Sequence, residues 1–179
     1  FQLANIVYIL KQFLDRIKKQ NFLTLKLKKK GIWFIGLAGV GKTFASNFVK
    51  KKIKNSITID GDIVRKLISF DLGYNLKDRE IQITRMLGIG KICIKSKKFP
   101  IISTVYMNSR TYKKAKKLGI NVIQIERKMT DLKKIRKLYK SNKNVVSKDI
   151  NYPNMKLKKL YNFGDKNFIK ELRNIFYGN

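Results

Sequence analysis

An apolar run from Ile32 to Ile35 leads straight into Gly36-Leu37-Ala38-Gly39-Val40-Gly41-Lys42-Thr43, and a helical pattern follows from Lys42 to Lys52. No other stretch limits the fold as much. The spacing fits G-x-x-x-x-G-K-[ST], the phosphate-binding P-loop. Its glycines let backbone N–H groups ring a set of phosphate oxygens, Lys42 supplies a cation to the β- and γ-phosphates, and Thr43 is placed to ligate Mg²⁺. The helix N-terminus adds its partial positive charge. The expected ligand is a nucleoside triphosphate with its metal ion.

The rest of the chain repeats the same texture. Candidate strands are Ile32 to Ile35, Ile57 to Ile59, Pro100 to Thr104, Val122 to Ile125 and Leu157 to Tyr161. Candidate helices are Lys42 to Lys52, Ile63 to Ser69, Lys77 to Lys97, Ser109 to Leu118, Asp131 to Tyr139 and Lys166 to Phe176. Strands alternating with helices predict an α/β fold of the P-loop NTPase type, a mostly parallel sheet covered by helices on both faces. Ligands of such sheets bind beyond the carboxyl ends of the strands. Lys140 to Lys156, with its Asn-rich turns and Pro153, is expected to be a long functional loop.

Residues 1–28 read as a separate amphipathic helical segment ahead of a P-loop domain spanning 29–179. Leu3, Ile6, Val7, Leu10, Phe13, Leu14 and Ile17 recur at steps of three and four, which puts them on one helix face. That face is expected to pack on the domain or on a second subunit in a homodimer. A membrane surface is the other occupant considered, with Lys11, Arg16, Lys18 and Lys19 on the opposite side.

At 179 residues the chain suffices for one ordinary core. The formal charge of +31 comes mostly from 34 lysines scattered between elements, against 8 arginines, so a solvated lysine surface is expected rather than a nucleic-acid groove. Anionic substrates are attracted either way. Histidine is absent and Cys93 stands alone, which removes histidine acid–base chemistry, histidine-ligated metals and any internal disulfide. No apolar run reaches the roughly 18 residues of a membrane span. The start lacks the marks of a signal peptide, so a cytoplasmic protein is expected. It also lacks an initiator Met, which suggests a trimmed or partial product.

The second strand ends in Asp60-Gly61-Asp62-Ile63-Val64-Arg65. Two carboxylates at the carboxyl edge would face the triphosphate: one orients the metal or its waters, the other accepts a proton from an attacking hydroxyl. Helix capping is the alternative role for either acid. Further on, Tyr74 follows a tight turn, Asp71-Leu72-Gly73, and offers a face to a base. Arg79 and Arg85 are candidate anion clamps, or partners for Asp78 and Glu80 on a surface helix. Met86, Leu87 and Ile83 are read as core and Cys93 as a buried thiol.

Taken in order, the P-loop, Asp60 to Arg65, Asp71 to Tyr74, Asp78-Arg79 and the following strand with Tyr106 and Arg110 resemble the adenylylsulfate kinase family over about Lys29 to Tyr177. Lys30, Gly31 and Trp33 resemble its Lys-Gly-x-x-Trp lead-in with one residue fewer between Gly31 and Trp33, and Lys143 to Asp149 is similar to its Lys-Asn-x-x-Gly-x-Asp lid. The resemblance implies an ATP- and Mg²⁺-dependent transfer of the γ-phosphoryl to the ribose 3′-hydroxyl of adenosine 5′-phosphosulfate. It implies Asp62 as base, Asp60 near the metal with Thr43, and Lys42 as catalytic cation. Arg65 and Arg79 would hold the acceptor's phosphate region and Tyr74 would stack on its base. Gln82 stands where the family has a substrate-contacting Asn, and Thr104 where it has the Ser of Ser-Pro-Tyr-Arg. Val145 replaces a lid aromatic that sandwiches the base, and stacking of that kind is worth roughly 1–3 kcal/mol. Arg136-Lys137-Leu138-Tyr139 is similar to the lid's Lys-Gly-Leu-Tyr, and Lys140, Lys143 and Lys148 make the lid basic. The Val145 change keeps a related kinase acting on another small nucleotide, such as cytidine diphosphoramidate in surface-polysaccharide synthesis, as the alternative. A polyanion-binding or regulatory P-loop protein is the third reading.

Overall fold

The computed structural model describes residues 6, 8–15, 29–140, 145–148, 150–151, 155–164 and 166–177. Five parallel strands form one sheet: β1 (Gly31–Ile35), β2 (Ser56–Asp60), β3 (Phe99–Thr104), β4 (Ile120–Glu126) and β5 (Lys158–Tyr161), in the order β2-β3-β1-β4-β5. The helices are α1 (Lys42–Lys52), α2 (Gly61–Leu67), α3 (Leu76–Lys95), α4 (Ser109–Lys117), α5 (Met129–Ile135) and α6 (Lys166–Tyr177), with a 3₁₀ turn at Lys137–Lys140. The expected α/β class and the mostly parallel sheet are what the chain forms.

Every residue of β1 and β3 is buried, which is why their sequences run apolar without alternation. Successive side chains still point to opposite faces. Ile32 and Phe34 join Val49, Ile101, Ile123 and Leu172 in one core. Trp33 and Ile35 join Ile83, Met86, Ile102 and Ala115 in the other. Ile83, Met86 and Leu87 are core as expected, and Cys93 is buried. Desolvation raises the thiol's pKa.

The strand order changes direction at β1, since β3 and β2 lie to one side of it and β4 and β5 to the other. That opens a crevice at the carboxyl ends of the central strands, where the loop after β1 and the acids after β2 emerge.

Several boundaries differ from expectation by one to a few residues, and three of the differences have a clear local reason. Helix α2 begins at Gly61 because Asp60 caps it, its carboxylate accepting the N–H groups of Asp62 and Ile63. Helix α3 begins at Leu76 because Asn75 accepts the N–H of Asp78. The helix expected over Asp131 to Tyr139 is broken: Arg136 is extended (φ −136°, ψ 108°), and a 3₁₀ turn follows. At the N-terminus, residues 8–15 are helical, and Ile6, Leu10, Phe13 and Leu14 stay exposed rather than packed on the domain. Among the described residues, no helix is long and apolar enough to cross a membrane.

Candidate active site

A cleft of about 840 Å³ opens at the switch point. Its floor is the glycine loop. Ala38, Gly39, Gly41, Lys42 and Thr43 line it, while Val40 is buried beneath and the carbonyls of Gly36 and Leu37 accept the Lys42 Nζ hydrogens at 2.8 and 2.9 Å. Gly41 caps α1 in the left-handed region (φ 104°), which leaves the helix N-terminus open to the cleft. Burial pushes the Lys42 ammonium down to about 8 against the opposing pull of Asp62 and Asp60, with Arg136 adding to the depression. Both acids line the same cleft as the loop.

The two acids have different surroundings. Asp60 Oδ1 is engaged by the backbone of α2, at 3.0 Å from Asp62 N and 3.4 Å from Ile63 N. Among the described residues, the Asp62 carboxylate has no hydrogen-bond or ion-pair partner. The capping alternative therefore describes Asp60, and Asp62 is left facing Lys42.

The far half of the cleft is lined by Arg65, Tyr74, Arg79, Gln82, Thr104 and Val145. Arg65 donates to the carbonyls of Leu72 and Gly73, with its guanidinium carbon 4.6 Å from the Tyr74 ring centre. Arg79 donates from Nε to the Tyr74 carbonyl at 2.8 Å and lies 5.7 Å from the same ring. The turn that presents Tyr74 is closed by Asp78, which accepts from Gly73 N and Asn75 Nδ2, each at 2.8 Å. Gln82 is buried: its Nε2 donates to the Gly61 carbonyl at 3.0 Å, and its Oε1 has no partner in the chain among the described residues.

Arg85 is not part of this constellation. It makes a two-pronged ion pair with Asp71 at 2.5 and 2.8 Å, and that contact, rather than a ligand or Asp78 and Glu80, is its partner. The Arg85 hydrogen bond holds the Asp71 carboxyl below its usual range. The Thr104 hydroxyl accepts from Trp33 Nε1 at 2.9 Å and donates to the Tyr106 carbonyl at 3.0 Å, so it stitches β3 to β1 behind the cleft wall.

Ser103 also lines the cleft and stands outside every motif read from the sequence, whereas Tyr106, Arg136, Leu138, Tyr139 and Val146, which line it too, fall in the segments that carry the family resemblance. Asn162, just beyond β5, donates to the Val40 carbonyl at 2.8 Å, and Tyr139 donates to the Ala38 carbonyl at 2.8 Å. Asn162 could have been sought by asking which polar residues follow a strand at the carboxyl edge; Tyr139, on the 3₁₀ turn after α5, could not. Of the basic lid, Lys148 is exposed, whereas Lys143, Asp149 and the Lys140 side chain lie outside the described residues.

A parallel sheet, a glycine loop between the central strand and a helix, and facing carboxylates define a P-loop nucleotide-binding protein. The family model for adenylylsulphate kinase matches residues 28–150, and the chain belongs to that family. The adenylyl-sulfate kinase of Halothermothrix orenii is 30% identical over 96 residues, covering 51% of this chain and 50% of the relative. That of Clostridium acetobutylicum is 35% identical over 83 residues, covering 43% and 41%. The chain thus spans about half the length of these curated relatives, or less. Among solved structures, the Mycobacterium tuberculosis APS kinase CysC in complex with AMPPNP and APS superposes with a TM-score of 0.67 at 17% identity, over 83% of this chain and 95% of that one. A gluconokinase from Sinorhizobium meliloti gives 0.55 at 10% identity, over 84% and 91%. At these identities the likeness shows the fold.

Proposed function

We propose that the chain is an ATP-dependent kinase that transfers the γ-phosphoryl group to the ribose 3′-hydroxyl of adenosine 5′-phosphosulfate. The observation that carries this reading is the single cleft in which Lys42, Asp60 and Asp62 meet the arginine–tyrosine wall. The donor end is built for phosphates by the loop amides, the α1 N-terminus and Lys42. The acceptor end pairs the cations Arg65 and Arg79 with the exposed Tyr74 ring, a combination suited to an anionic nucleotide.

In the reaction, Asp62 accepts the proton of the ribose hydroxyl, whose oxygen bonds to the γ-phosphorus as the bond to the β-phosphate oxygen breaks and ADP leaves. Lys42 and the loop N–H groups offset charge on the transferred group. Among the described residues, no cluster of three acids, cysteines or histidines could cage a cation. The chain instead offers the Thr43 hydroxyl and the outward part of Asp60, a donor set that fits an ion held mainly by the nucleotide's phosphates and water. Mg²⁺ bound there would neutralise phosphate charge.

The relatives' adenylyl-sulfate kinase names favour this acceptor over the cytidine diphosphoramidate alternative, and an intact loop facing two acids argues against a mere polyanion binder. A coupled ADP-release assay with adenosine 5′-phosphosulfate and cytidine-containing acceptors decides the matter. Turnover with the former is expected; ATP binding without turnover on any nucleotide would remove the kinase reading.

A further inference from the structure

The phosphate loop is held by two side chains that play no part in the reaction described above. Tyr139, on the 3₁₀ turn, holds the Ala38 carbonyl, and Asn162, after β5, holds the Val40 carbonyl, each at 2.8 Å. Their targets are alternate peptides of the loop. In a trans peptide, the carbonyl of one residue and the N–H of the next point in opposite directions across one plane. Fixing the Ala38 carbonyl therefore sets the direction of the Gly39 N–H, and fixing the Val40 carbonyl sets that of the Gly41 N–H.

Gly39 and Gly41 both line the cleft, with φ of 91° and 104°, and neither amide has an acceptor in the chain among the described residues. Successive N–H groups turned inward by left-handed residues form an anion-binding concavity. Asn162 is itself anchored: its backbone N–H donates to the Glu126 carbonyl at 2.8 Å and its Oδ1 accepts from Gly164 N at 2.9 Å. Tyr139 is buried, and desolvation pushes its hydroxyl up to about 12, which keeps it a donor.

We propose that Asn162 and Tyr139 are positioning residues for phosphoryl transfer, which set the direction of the Gly41 and Gly39 amides toward the phosphates of the bound nucleotide by fixing the preceding carbonyls. The proposal rests on the reading of the loop as the ATP site. It makes residues at two distant points of the chain part of the donor site, Asn162 lying beyond the region matched by the family model.

Inorganic tripolyphosphate is the probe, because it samples the loop without a base or an acceptor. Tyr139→Phe deletes one oxygen and keeps the ring; Asn162→Ala deletes the amide, with Asn162→Ser, whose hydroxyl is too short to reach Val40, as the substitute should the alanine variant not fold. By calorimetry each variant should bind tripolyphosphate roughly 5–20-fold more weakly than the wild type, the scale of one misdirected hydrogen bond. KM for ATP should rise in parallel while KM for the acceptor stays within about twofold. Folded variants that titrate like the wild type, or that raise both KM values equally, would overturn the proposal and leave the loop reading standing. A wild type that does not bind tripolyphosphate would remove the loop reading, and this inference with it.

Discussion

Asp60 accepts the backbone N–H of Asp62 at 3.0 Å, so one acid fastens the start of α2 while the other, two residues further on, keeps its carboxylate for the cleft. The pair separates experimentally. Asp62→Asn should lower kcat by roughly 10²–10⁴-fold with ATP affinity retained, the range for losing a general base. Asp60→Asn keeps a good cap and should leave stability within a few tenths of a kcal/mol, whereas Asp60→Ala should cost about 1 kcal/mol. Single-turnover kinetics and urea melts read the two effects. Near-normal turnover in Asp62→Asn would show that the base was misassigned.

Lys42 predicts a pH dependence. Burial lowers its pKa from 10.5 to about 8 in the fold. Between those values the unfolded chain binds more protons than the folded one, so this lysine makes stability rise with pH across that window and contributes no slope below it. Lys42→Met should lack that rise relative to the wild type. In kinetics the free enzyme needs the ammonium, so kcat/KM for ATP should fall as pH passes about 8. Matching pH profiles for Lys42→Met and wild-type stability would contradict the burial argument.

Scarce arginines divide between cleft and surface. Arg65 supports Tyr74 and its turn, so Arg65→Ala should raise acceptor KM at least about tenfold, with ATP KM unchanged, as expected when a charge-assisted contact is lost. Arg85 pairs with Asp71 at an exposed site, and Arg85→Ala should leave both KM values and kcat unchanged. An acceptor KM that follows Arg85 instead would place the clamp on the wrong arginine.

The sequence showed the sheet and the donor loop clearly, because both are local patterns: buried β1 reads as an unbroken apolar run, and the loop's chemistry is contiguous from Gly36 to Thr43. The acids after β2 followed from topology, since the carboxyl edge of a parallel sheet gathers strand ends. Partner choice was not legible. Nothing in the spacing says that Arg85 turns to Asp71, or that Thr104 bonds Trp33 across 71 residues. Asn162 reaches the loop only through tertiary packing and carries no motif, and the lid resemblance that includes Tyr139 says nothing of its bond to Ala38. The break at Arg136 was invisible because Lys, Arg and Leu suit a helix equally well on either side of it.

Gly41 brings these relationships to one point. Its φ of 104° is unfavourable for any residue with a Cβ, and a Cβ built there would lie 2.5 Å from Asn162 Nδ2. Gly41→Ala therefore combines backbone strain of roughly 1–3 kcal/mol with displacement of the amide that holds Val40. It should lower the melting temperature and abolish measurable tripolyphosphate binding. Because the steric part runs through Asn162, Gly41→Ala and Asn162→Ala should not add: the double variant should be more stable than the sum of the single losses implies. Strict additivity in a double-mutant cycle would mean that the glycine is required for its φ alone, with Asn162 energetically separate from the loop.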